Sequence, residues 1–132
     1  MSLRSPVGRV LGLGAAGEGV GHWWTQRVSA VALVLLGVWF VFSLVRLPDL
    51  SYVAVTAWIA APLNAVLLSL LVGTMIYHSL LGVQVVVEDY VTHPGLKIVT
   101  MLLLQFIHYA LAALGVFAVL RIALTMSSGS VA

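Results

Sequence analysis

Cysteine is absent from the 132 residues. That excludes thiolate ligation of zinc or of an iron–sulfur cluster, and it excludes disulfides. Charge is scarce as well: 8% of residues are Asp, Glu, Lys or Arg, against 62% hydrophobic. A soluble domain of this size needs a polar surface that such a composition cannot supply. The formal net charge of +2 comes from six basic and four acidic residues. No basic cluster with interleaved aromatics is present, so nucleic acid is not an expected partner. Arg4 and Arg9 are followed by glycine-rich sequence rather than a short apolar run with a cleavage site. Neither a signal peptide nor a transit peptide is expected.

What remains is long apolar sequence. A hydrocarbon core of roughly 30 Å takes about 20 apolar helical residues per crossing. The expected fold is an all-α membrane protein with about three transmembrane helices, in one membrane-anchor domain over 1–132. Residues 1–27 read as an N-terminal arm. Glycines at 8, 12, 14, 17, 19 and 21 disfavour a helix there. Trp23 and Trp24 beside Arg27 form an interfacial anchor. The spans are expected at about 28–45, 62–87 and 98–120. Pro62 is expected at a helix start, where its missing N–H costs nothing. The segment before it either lies along the interface or begins a tilted helix. Basic residues favour the N-terminus and the 88–97 connection on the inner side, with the C-terminus outside.

His78 lies deep in the second span. An ionisable group at that depth faces a partner or a cofactor, and neutral imidazole is a common axial ligand of haem iron. A histidine hydrogen-bonded to a neighbouring helix is the plain alternative. At about 100° per residue, Leu71, Gly82, Val85 and Asp89 fall within roughly 40° of His78. Gly82, one turn on, leaves room for a flat macrocycle, or for close helix packing. Asp89 lies about 16 Å further along the axis, which is the step from mid-membrane to interface. Tyr90 suits a quinone carbonyl, and a neighbouring carboxylate could orient it or handle protons; an aromatic belt residue beside a solvated acid is the alternative. Arg27, read as sitting at a helix N-terminus, opposes the macrodipole and calls for an anion. His108 in the third span is a rival haem ligand, with hydrogen bonding inside the bundle its expected role. His22, His93 and Glu88 read as solvated.

Taken together, His78-Ser-Leu-Leu-Gly82-Val-Gln-Val-Val-Val-Glu-Asp89-Tyr90 resembles the signature of the hydrophobic membrane anchor subunit of succinate dehydrogenase (the small cytochrome b-type subunit of respiratory complex II). His22-Trp-Trp-Thr-Gln-Arg27-Val-Ser-Ala30 resembles the stretch before that family's first span, and the form of 22–27 is similar to that of alphaproteobacterial members. The resemblance covers roughly residues 19–121.

It implies a role for each matched residue. His78 would be an axial ligand of haem b iron, Tyr90 would hydrogen-bond the quinone, and Asp89 would be its acidic neighbour at the quinone site. Arg27 would lie near the haem propionates or the quinone. It also implies partners: a second cytochrome b membrane subunit giving the other histidine, an iron–sulfur subunit and a flavoprotein subunit. The implied function is to anchor those subunits in the bacterial inner membrane and to pass electrons from succinate to ubiquinone within the tricarboxylic acid cycle, without contact to succinate. A fumarate reductase anchor and a free-standing b-type cytochrome stand as alternatives.

Overall fold

The computed structural model describes residues 16–128, and their regular structure is wholly α-helical. In chain order the helices are α1 (Ala16–Val45), α2 (Tyr52–Ala60), α3 (Pro62–Tyr90) and α4 (Pro94–Ser128). Among the described residues three segments are long and apolar enough to cross a membrane: Val20–Val45, Pro62–Tyr90 and Pro94–Met126.

α1 starts well before the expected span. Gly17, Gly19 and Gly21 lie within it, so the arm ends earlier than residue 27, and residues 1–15 fall outside the described region. Each glycine costs about 1 kcal/mol in a helix interior. An existing apolar span removes the nucleation cost, however, so extending it by further turns is far easier than starting a helix there.

Pro62 sits at N1 of α3, as its chemistry dictates. The same proline disfavours α conformation at the residue before it. Ala61 is accordingly extended, at φ −64° and ψ 127°. This break makes the preceding segment a separate helix of 9 residues, about 14 Å long and too short to span. Ser51 caps α2 by accepting from the Ala54 amide at 3.3 Å. The Trp58 carbonyl at the end of α2 accepts from the Ala61 amide at 3.3 Å and from the Asn64 side chain of α3 at 2.8 Å. Trp58 also stacks on Trp39 of α1, with centroids 5.8 Å apart.

α3 is the central element. α4 and α1 both pack on it, while α1 and α4 have no backbone contact with each other among the described residues. α2 fills the corner against α3 and α4. The α3–α4 approach is close: a Cβ on Gly115 would meet Val72 Cγ1 at 2.7 Å. At the opposite end the Lys97 ammonium donates to the Glu88 carbonyl at 2.7 Å, satisfying one of the last carbonyls of α3. His93 caps α4, its Nδ1 accepting from the Leu96 amide at 3.4 Å.

Little of the chain is buried within itself. Among the described residues the buried apolar side chains are Ala65, Leu68, Leu80, Leu81 and Val87, all on α3. Large apolar side chains on every helix stay exposed, including Phe42, Val53, Leu63, Phe106 and Phe117. In water this surface would be prohibitive; lipid or other membrane helices must cover it.

Candidate functional site

His78 faces α1. Its Nδ1 is 2.9 Å from the hydroxyl of Ser29, and its Nε2 is 3.3 Å from the side-chain nitrogen of Gln26. Ser29 is 6% exposed, and its hydroxyl also donates to the Gln26 carbonyl at 3.0 Å. A histidine within the span has therefore found polar partners on the neighbouring helix, as the low polarity of its surroundings requires.

His78 and Gln26, but not Ser29, border a cavity of about 560 Å³ between α1 and α3, lined by His22, Trp23, Gln26, Arg27, Ala30, His78, Gly82, Val85 and Glu88. That volume is in the range of small-molecule and cofactor sites, roughly 300–1,000 Å³. From α3, His78, Gly82 and Val85 follow the expected one-face spacing. Gly82 helps keep the space open: a Cβ there would come within 3.7 Å of the Gln26 amide nitrogen. From α1, His22, Gln26 and Ser29 are four and then three residues apart, again one helical face.

Two atoms here are unusual. His22 Nε2 and Gln26 Oε1 are buried and have no hydrogen-bond partner. Polar atoms so placed normally carry a bond to protein, water or ligand. His22 is thus not the solvated residue expected from its position, because the early start of α1 turns it onto the α3-facing side. The Arg27 expectation changes for the same reason. It lies about three turns inside α1, beyond the first turn where the macrodipole acts. Its guanidinium instead lies 4.4 Å from the Trp23 ring centroid, a cation–π arrangement, at the cavity wall.

Asp89 and Tyr90 end α3 outside this cavity, both exposed; Tyr90 is 81% exposed. Glu88 is exposed, as expected, and is also the acidic residue at the cavity wall. The geometry thus separates a His78 groove from the Asp89–Tyr90 end on the same helix. His108 is on α4, away from the groove, with Nδ1 donating to the Leu104 carbonyl of its own helix at 2.8 Å. Among the described residues no group of three or more His, Cys, Asp or Glu is gathered that could hold a metal ion. Sequence reasoning missed Gln26 and Ser29. The available signal was their spacing with His22 at the start of an apolar span.

The family described as "Succinate dehydrogenase/Fumarate reductase transmembrane subunit" matches residues 1–119. The chain belongs to that family. Relatives named succinate dehydrogenase hydrophobic membrane anchor subunit agree with this. That of Rickettsia bellii is 34% identical over 67% of this chain and 71% of its own length. That of Paracoccus denitrificans is 31% identical over 86% of this chain and 87% of its own length. The groove and the open end of α3 are accordingly features of a succinate dehydrogenase/fumarate reductase transmembrane subunit.

Proposed function

We propose that this chain is the hydrophobic anchor subunit of a succinate dehydrogenase and supplies His78 as one axial ligand of a haem b shared with a second membrane subunit. The observation that carries the proposal is the groove itself. His78 lines it, a glycine follows one turn on, and two buried polar atoms of His22 and Gln26 lack partners. The donor set fits an iron macrocycle: imidazole suits the iron, Arg27 offers a cation to propionates, and His22 and Gln26 offer polar atoms at the edge. When bound, the haem would supply one-electron storage in the membrane. His78 would hold the iron from one side, while Gly82 leaves the space beside it clear. The chain also brings His22 to the groove from α1; in this reading His22 serves the edge of the site, and the second iron ligand comes from the partner, as the family resemblance implies.

The open end of α3 suits a quinone site completed by a docked subunit. Tyr90 presents its hydroxyl outward and can donate to a quinone carbonyl. Asp89 beside it can orient that hydroxyl or relay a proton. In this reading Tyr90, Asp89 and an iron–sulfur subunit meet at the inner membrane surface, and succinate is oxidised in a flavoprotein subunit out of reach of this chain. The names of the relatives favour the succinate direction over fumarate reductase, which the family's description also covers.

Purification from native membranes in mild detergent tests the assembly. A red complex with flavin, iron–sulfur protein and a second small membrane subunit is expected. A haem-bearing species lacking flavin and iron–sulfur protein would instead support a free-standing cytochrome. Tyr90→Phe tests the quinone role. Losing one hydrogen bond of about 0.5–1.5 kcal/mol should raise the KM for quinone roughly 2- to 12-fold, while reduction of an artificial acceptor at the flavoprotein persists. Unchanged quinone kinetics would remove Tyr90 from the site.

A further inference from the structure

We infer that Ser29 is a positioning residue for His78: its hydroxyl accepts a hydrogen bond from Nδ1–H, fixes that tautomer, and presents the Nε2 lone pair to the groove. This inference rests on the proposal that His78 ligates haem iron through Nε2.

The geometry defines a directed chain. Ser29 Oγ has one hydrogen and two lone pairs. At 3.0 Å from the Gln26 carbonyl, an atom that can only accept, the hydroxyl spends its hydrogen there. A lone pair then faces His78 Nδ1 at 2.9 Å, and that contact is a hydrogen bond only when Nδ1 carries the proton. A neutral imidazole protonated at Nδ1 is an acceptor at Nε2. The Gln26 side-chain nitrogen, a donor, lies 3.3 Å from that acceptor. All three contacts are satisfied by one tautomer, the one a metal ligand needs.

Burial gives this network its effect. Ser29 is 6% exposed, so water cannot substitute for its hydroxyl. α1 holds it rigidly by the bond back to its own helix, and α3 holds the histidine, so the ring plane is set by the α1–α3 packing. Metal-ligating histidines commonly donate their other N–H to an acceptor, which fixes ring orientation and raises ligand basicity. Ser29 does this across two helices of one chain. Gln26 plays a different part: its long contact covers the Nε2 lone pair and must swing aside when iron takes that position. Its partnerless Oε1 shows that its present amide placement is only half satisfied, so the displacement forfeits little.

The test uses the intact membrane complex carrying Ser29→Ala, with three readouts on assembled material: haem b content, haem midpoint potential and the low-spin EPR signal. Loss of an outer-shell partner commonly weakens metal binding about 10–100-fold, so haem should be lost far more readily during detergent washing. In the haem that remains, a less basic imidazole stabilises the oxidised iron less. The midpoint potential should move upward, and the largest g value should change as the ring is freed to rotate. Ser29→Gly, which also lacks the hydroxyl without adding bulk, should repeat these shifts, and Ser29→Thr, which keeps it, should restore the wild-type potential and g values. Wild-type haem content, potential and EPR in Ser29→Ala or Ser29→Gly would overturn the inference, as would Ser29→Thr shifting them equally. His78→Ala separates this from the parent reading: if the haem signals survive that change, His78 is not the ligand and the fault lies there rather than with Ser29.

Discussion

His78 and Ser29 show how much a single part-buried polar pair decides in an apolar helix bundle. The histidine was visible in the sequence because an ionisable residue deep in an apolar run stands out. Its partner was not, since Ser29 is an ordinary small residue until the α1–α3 crossing places its hydroxyl 2.9 Å away. Pairing between residues 49 apart in sequence is set by tertiary packing, which helix periodicity does not encode. Asp49 carries a smaller prediction at this scale. The Ser51 hydroxyl, and secondarily its backbone N–H, hold the Asp49 carboxyl below the usual aspartate range. A depressed carboxyl pKa stabilises the fold above the ordinary aspartate value, and the effect fades as pH falls through the lowered one. The first turn of α2 should therefore exchange its Ala54 amide faster in acid. Asp49→Asn should flatten that pH profile, as read by hydrogen exchange corrected for intrinsic rates.

Elements were legible where local chemistry was decisive. Pro62 marked the start of α3, and it also forces the break after Ala60 through the conformation of Ala61. α1 starts earlier than its glycine content predicts, because propensity is local whereas the adjoining apolar span carries the helix outward. That one shift moved His22 into the groove and Arg27 into the helix body. Two substitutions test the packing of α3. Gly115→Ala should push its Cβ into Val72 Cγ1, which a rigid β-branched side chain cannot easily evade. Overpacking of this kind costs about 1–3 kcal/mol, and Val72→Ala should restore most of it, as thermal unfolding of the purified complex would show. Gly82 behaves differently, since the space around it belongs to the groove. Gly82→Leu should leave the complex assembled yet sharply lower its haem content, whereas Gly82→Ala, with 3.7 Å to its nearest neighbour, should be mild.

As a whole molecule the chain is a set of helices awaiting cover. Its apolar core lies on α3, and large apolar side chains face outward on every helix. The three-span architecture was legible from composition, because apolar run length alone reports bilayer crossing. The groove was not, because its walls come from two helices and its far side, in this account, from another subunit. In the proposed reading, incompleteness is common to both sites on the C-terminal half of α3: His78 would bring one ligand to a haem that takes two, and the exposed Tyr90 would await a docked partner. The central claim is that His78 holds the haem, and the most direct measurement is the low-spin EPR and reduced-minus-oxidised optical spectrum of the intact complex carrying His78→Ala. The account predicts that the native low-spin signal and the reduced haem b band are lost or replaced, with the flavin and iron–sulfur subunits still assembled. Both signals persisting unchanged would contradict it.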